Sequence, residues 1–211
     1  MFEQALAKET KNVLALLNKQ DWIQDFYLSG GTGLALQLGH RLSIDLDFFA
    51  SQPFQSAKII QRLSVLGEFI LEQEAEGTVR AALNNVKLDF LFYPYPLLKP
   101  TAKYEKIKIA HPLDIALMKI TAIASRGSKK DFIDLYLLCQ KETNLKDLFA
   151  LLPQKFAKVK YESYHLAESL IYFEDAESEP MPQMLMSIDW PTVKSFFQIE
   201  AKNLIQNYAQ W

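Results

Sequence analysis

Cysteine is almost absent, with one in 211 residues. That excludes an internal disulfide framework and a cysteine-rich zinc site. Cys139, set in Leu135-Tyr136-Leu137-Leu138-Cys139, reads as a small buried apolar residue with no chemistry of its own. Histidine is also scarce. His40, His111 and His165 have no histidine or cysteine partner at helical spacing, so a zinc site is not expected. No apolar run approaches the ~20 residues a membrane-spanning helix needs, so no membrane partner is expected. There is no basic excess either: 23 Lys and Arg stand against 25 Asp and Glu, a formal charge of -2. Any contact with nucleic acid must then come from a local cluster. One such cluster is present at Arg126, Lys129 and Lys130. The opening residues Met1 to Glu9 place acids where an export leader needs a basic head and an apolar stretch, so a cytoplasmic protein is expected.

What the sequence does hold is ordinary globular material, 49% hydrophobic and 23% charged, in a chain long enough to bury roughly two thirds of its unfolded surface. Helical spacing of Leu6, Val13, Leu14, Leu16 and Leu17 predicts an opening helix that ends near Asn18. Phe26 to Ser29 reads as a strand, Thr32 to Leu38 as a helix and Ile44 to Phe49 as a second strand. A helix over Gln55 to Leu66 precedes three strands, Phe69 to Glu74, Thr78 to Leu83 and Val86 to Tyr93, which turn at Glu76-Gly77 and Asn84-Asn85 into an antiparallel meander. Pro94, Pro96 and Pro100 then stop regular structure. Beyond Pro112 the pattern is helical, over Leu113 to Ala124, Lys129 to Gln140, Leu145 to Phe156, Ser163 to Phe173 and Pro191 to Ala209, with an irregular acidic loop at Glu174 to Gln183. Trp190 and the aromatic tail of Phe196, Phe197, Tyr208 and Trp211 read as core packing. The expected class is α/β (α+β): one region over 1–110 with a small mixed sheet flanked by helices, then a helical region over 111–211.

The chemistry concentrates at Ile44-Asp45-Leu46-Asp47-Phe48-Phe49. Strand residues two apart share a face, about 6.6 Å apart along the backbone, so Asp45 and Asp47 present both carboxylates together while Ile44, Leu46 and Phe48 face inwards. Hard oxygen ligands of this kind suit Mg²⁺ or Mn²⁺, and two such ions can clamp the entering and leaving oxygens of a phosphoryl transfer. Upstream, Gly30-Gly31-Thr32 lies at a strand-to-helix turn, where glycines let backbone N–H groups approach a phosphate at a helix N-terminus. Asp89, on a later strand, is placed to join the metal set or to act as the base that deprotonates an attacking hydroxyl.

Ser29-Gly30-Gly31-Thr32-Gly33-Leu34-Ala35-Leu36, followed by His40-Arg41-Leu42-Ser43-Ile44-Asp45-Leu46-Asp47-Phe48, resembles the AbiEii/AbiGii toxin family within the polymerase-beta-like nucleotidyltransferases. Lys119, Arg126 and Lys130-Asp131-Phe132-Ile133-Asp134-Leu135 stand in the order of that family's later motif. The resemblance covers about Leu28 to Leu138. It implies a minimal nucleotidyltransferase fold, an NTP substrate with Mg²⁺, and toxin activity beside a cognate antitoxin, with nucleotides added to tRNA ends. By family position Lys119 contacts phosphate, and Asp134 orients that lysine or the nucleotide. Arg126 and Lys130 face the triphosphate, and Asp131 either joins them or serves as a helix N-terminal charge. Arg41 is expected to contact substrate phosphate or pair with an acid, and Ser43 to support the catalytic strand by a hydrogen bond. The expected reaction moves an NMP from an NTP to an RNA hydroxyl. The alternatives are a catalytically weak interaction module of the same fold, or a transferase acting on protein or a small molecule.

Overall fold

The computed structural model describes residues 1–157, 159 and 162–208, with side chains to residue 206 in the last helix. The Tyr208 side chain and Trp211 lie outside the described residues. The chain divides into two compact units, Met1–His111 and Pro112–Trp211.

In the first unit, helix α1 (Lys8–Asn18) buries Val13, Leu14 and Leu17, the stripe that its spacing predicts. Strand β1 (Tyr27–Leu28) runs directly into helix α2 (Gly30–Leu38), and strand β2 (Leu46–Ala50) follows. After helix α3 (Ser56–Ser64) come β3 (Phe69–Ala75), β4 (Thr78–Leu83) and β5 (Val86–Phe92), paired antiparallel in sequence as the turn signals predict. Asn84 and Asn85 both take positive φ, 49° and 64°, the two-residue turn whose twist matches its flanking strands. Strands β6 (Ala102–Tyr104) and β7 (Ile107–Ile109) form a further hairpin. The seven strands make one mixed sheet in the order β3-β4-β5-β2-β1-β7-β6, parallel where β2 meets β5 and where β1 meets β7.

Strict alternation sets the two faces of the central strands. Leu46, Phe48 and Ala50 of β2 and Leu88 and Phe90 of β5 are buried, and they pack in one core with the apolar residues of α1 and with Ile59 and Leu63 of α3. Phe90 is the hub of that core, with ring centroids 5.0 Å from both Phe48 and Phe26 and 5.8 Å from Trp22.

Four sequence expectations need correction. Gly30 and Gly31 belong to the first turn of α2 rather than preceding it. Ile44 is 59% exposed, because β2 begins at Leu46 and the alternation does not reach back to it. The β6–β7 hairpin escaped notice because three-residue strands are too short to show a period. Within the acidic stretch Glu174 to Gln183 a short helix forms, and the preceding helix ends at Ser169 rather than Phe173.

The second unit comprises α4 (Pro112–Arg126), α5 (Lys129–Lys141), α6 (Leu145–Lys155), α7 (Ser163–Ser169), α8 (Glu174–Ser178) and α9 (Trp190–Tyr208). Pro112 occupies the first position of α4, where a missing N–H costs nothing. Asn144 caps α6 by accepting from the Asp147 N–H at 2.9 Å. Phe132 anchors the apolar centre, with rings of Phe173, Trp190 and Phe197 at 5.1, 5.8 and 5.4 Å. Lys155 and Asp114 form an ion pair at 2.7 Å inside this unit, neither side chain reaching solvent. Among the described residues no helix is long and apolar enough to cross a membrane.

Phe90→Ala is expected to cost about 3–5 kcal/mol through the cavity it leaves. Urea denaturation followed by Trp22 fluorescence checks this, since Trp22 packs on the deleted ring.

Candidate active site

The register of β2 against β5 places Asp47 directly beside Asp89. Both neighbours of each aspartate along its strand point the other way: Leu46 and Phe48, and Leu88 and Phe90, are all fully buried. The two carboxylates therefore stand together on the face opposite the core, on strands ~4.8 Å apart. Asp45 lies two residues upstream, just before β2 begins. Its backbone is fixed from two sides: Thr10 Oγ1 donates to the Ile44 carbonyl at 3.0 Å, and the buried Thr32 hydroxyl donates to the Asp45 carbonyl. Thr32 also meets the Ser43 hydroxyl at 2.7 Å, so both expected nucleotide-site hydroxyls lie inside, tying α2 to the segment that carries Asp45. The Ser43 N–H in turn donates to the Ala5 carbonyl at 2.8 Å.

Gly30 joins the glycine turn to the acids. Its φ is +60°, a conformation costly for any other residue, and a Cβ built on it would fall on the Asp47 carboxylate. Beside it the Arg41 guanidinium lies over Gly31, where a Cβ would likewise collide. Arg41 is buried, at 4% exposure, and its Nη1 donates to the Leu42 carbonyl at 3.3 Å. The glycines thus make room for two side chains, one acidic and one basic.

Burial pushes the Asp89 carboxyl above the ordinary carboxylate range; the charges of Glu72 and Asp45 add to that push, while Arg80 and Lys87 oppose it. Arg80 is its registered neighbour on β4, with Nε 3.4 Å from Asp89 Oδ2. Asp89 Oδ1 is buried with no hydrogen-bond partner, an arrangement that calls for a missing ligand or proton. Arg80 carries no motif. Its position was nonetheless encoded, because a two-residue turn at Asn84-Asn85 pairs Leu83 with Val86 and, counting three residues outwards, Arg80 with Asp89.

Among the described residues no three His, Cys, Asp or Glu side chains stand close enough to hold a metal ion by themselves. Mg²⁺ rarely requires such a cage, since one or two carboxylates with water and substrate phosphates suffice. Asp45, Asp47 and the unpartnered oxygen of Asp89 fit that manner of binding.

In the second unit Asp131 and Asp134 share one face of α5, as their spacing predicts, and that face is turned inwards. Lys119 from α4 sits between them, its Nζ 2.6 Å from an oxygen of each. Arg126 closes the network with Nε and Nη2 on Asp131 at 2.7 and 3.1 Å. Burial alone would raise the Asp131 carboxyl, but the Lys119 charge and the Arg126 hydrogen bonds outweigh it and hold the carboxyl below its ordinary range. Lys119, expected to contact phosphate, has a side chain only 5% exposed and engaged by two acids, so a phosphate would have to displace one of them. Asp131 is likewise an internal partner rather than a solvated N-terminal charge. Arg126 keeps 58% of its side chain exposed and lines an open cleft of the helical unit together with Lys130. Cys139 carries no chemistry, its thiol pushed up to about 12 chiefly by burial.

Paired acids on adjacent strands, backed by a glycine-led helix, suit phosphoryl-transfer chemistry, and comparison with known proteins shows the class of enzyme. The family described as Nucleotidyl transferase AbiEii toxin, Type IV TA system, matches residues 12–199, and the chain belongs to it. Protein aq_aa25 of Aquifex aeolicus (strain VF5), itself described as uncharacterised, is 37% identical over 207 residues, 96% of this chain and 98% of that one. A Helicobacter pylori chain solved as a candidate nucleotidyltransferase shares the fold at a TM-score of 0.56 and 18% identity, over 97% of this chain and 98% of that one. MenT4, a nucleotidyltransferase toxin of Mycobacterium tuberculosis H37Rv, does so at 0.55 and 12%, over 92% and 84%.

Gly30→Ala is expected to lower stability by about 1–2 kcal/mol through its left-handed φ and to reduce transfer on the order of a hundredfold by displacing Asp47. Chemical denaturation and a transfer assay on the same variant separate the two effects. Asp131→Asn should cost about 3–5 kcal/mol by leaving the buried Lys119 underpaired. Because the folded Asp131 carboxyl titrates below its unfolded value, its stabilisation is complete above pH about 3.9 and is lost only as pH falls through the lower folded value. Wild type and Asp131→Asn should therefore differ in denaturation midpoint at pH 7 and converge in strong acid.

Proposed function

We propose that this enzyme transfers a nucleoside monophosphate from an NTP to an RNA hydroxyl, at a tRNA end, as a cytoplasmic toxin restrained by a cognate antitoxin. The observation that carries the reading is the pair Asp47 and Asp89, side by side on parallel strands with Gly30 against the Asp47 carboxylate. The family's description as the toxin of a toxin-antitoxin system supports the antitoxin.

Asp45, Asp47 and Asp89 are the residues to hold Mg²⁺ or Mn²⁺, which when bound neutralises the acids and polarises the transferring phosphoryl group. Asp89 Oδ1 serves either as a third ligand or as the acceptor of the proton from the attacking hydroxyl. Both roles need the ionised carboxylate, which the neighbouring Arg80 favours. The first-turn N–H groups of α2 at Gly30 and Gly31 approach substrate phosphate, with Arg41 set behind them. Arg126 and Lys130 are the phosphate contacts of the helical unit, and Lys119 with Asp131 and Asp134 holds α4 and α5 so that Arg126 keeps its direction.

The test is incubation with each α-labelled NTP, Mg²⁺ or Mn²⁺, and total tRNA. Label should enter RNA, disappear with EDTA, and fall at least a thousandfold in Asp45→Asn and Asp47→Asn, on the order expected when charge stabilisation in phosphoryl transfer is removed. Transfer that survives both substitutions would sink the assigned site. Label appearing in protein instead of RNA would leave the reaction standing and refute the acceptor.

A further inference from the structure

The helical unit contains an open cleft of about 440 Å³, within the range of small-molecule sites. One wall is basic, with Arg126 and Lys130 on either side of Ser128; the facing wall is Glu179 followed by Pro180-Met181-Pro182. No motif marks this second wall. It belongs to the acidic stretch that reads from sequence as an irregular loop.

Glu179 fastens the two walls together. Its Oε2 accepts from the Ser128 hydroxyl and from the Lys129 backbone N–H, both at 2.8 Å, and its carbonyl accepts from Lys129 Nζ. Lys129 in turn lies over the Trp190 ring at 5.4 Å. At the other end of α8, Asp175 packs against Gly127, whose φ of +57° lets the chain turn between Arg126 and Lys130. The wall therefore cannot move without moving the turn that carries both cations.

The two sides ask for different chemistry. Two cations with an exposed guanidinium edge suit phosphate oxygens. Two proline rings and a thioether, with Met181 40% exposed, offer a stiff, polarisable apolar surface that a flat ring can cover. An inorganic phosphate would leave the apolar wall unused, and an apolar ligand would leave the cations facing it. A nucleotide uses both.

We propose that this cleft holds the NTP, its phosphates on Arg126 and Lys130 and its base against Pro180-Met181-Pro182, with Glu179 the positioning residue that sets the distance between them. This rests on the transferase reading above and adds a base-binding wall to it.

Titration calorimetry on the full chain tests it with ATP, GTP, CTP, UTP and inorganic tripolyphosphate. Met181→Ala, a half-exposed change that should leave thermal unfolding unaltered, is expected to weaken the preferred NTP roughly tenfold while leaving tripolyphosphate unchanged. Glu179→Ala should weaken both ligands, and Glu179→Gln, which keeps an oxygen for Ser128 and the Lys129 N–H, should restore most of the affinity. NTP affinity untouched by Met181→Ala overturns this proposal alone. So does a loss confined to a short oligoribonucleotide, which would make the cleft an acceptor site. A wild type that binds no nucleotide overturns it together with the function on which it rests.

Discussion

The candidate site depends on a single register, Asp47 opposite Asp89 across a parallel strand pair. Two unit charges at strand spacing repel by roughly 3 kcal/mol at an effective dielectric constant of 20, so this pairing must be imposed by something stronger. The opposite face imposes it. Phe48 and Phe90 stack at 5.0 Å directly beneath the acids, and Leu46 pairs with Leu88 in the same core. A slip of one residue in either strand would carry that strand's aspartate into the core and its phenylalanine out of it. The apolar face thus stabilises a charge arrangement that would not form alone.

Around that pair, small residues do as much as charged ones. Gly30 makes room for the Asp47 carboxylate, and Thr32 and Ser43 anchor the backbone that delivers Asp45. Arg80 is the one cation paired with Asp89 among the described ion pairs, and it reaches only one of the two oxygens.

Much of this was legible from local pattern. Period-two alternation turned Asp47 of β2 away from the core, although Asp45 lies before the strand and outside that alternation; the Asn84-Asn85 turn fixed β4 against β5, and the three-residue spacing of Asp131 and Asp134 put them on one helix face. What escaped is what depends on distant partners. The parallel pairing of β2 with β5 joins segments some forty residues apart, and no local period announces it. Helical spacing says that Asp131 and Asp134 point the same way, but only α4 decides that they meet Lys119 rather than solvent. The β6–β7 hairpin is held by pairing to β1 at the far end of the unit, and its three-residue strands carry too little pattern to be seen alone.

The two charge clusters differ in a way that separates structure from chemistry. Asp131 is saturated: Lys119 and a two-pronged Arg126 occupy its oxygens, and its carboxyl is held low. Saturation of this kind stabilises a helix pair and leaves nothing for a substrate to complete. Asp89 is the opposite case. One oxygen is partnered at 3.4 Å, the other is buried without a donor, and the carboxyl is pushed up. A native fold does not tolerate a buried acceptor in that state without a reason, and beside Asp47 the reason nearest to hand is a ligand or a proton that arrives with the substrate. Hydrogen-bond satisfaction divides Lys119 from Asp89: the lysine is fully engaged between two acids, while the aspartate keeps an oxygen open to a further partner.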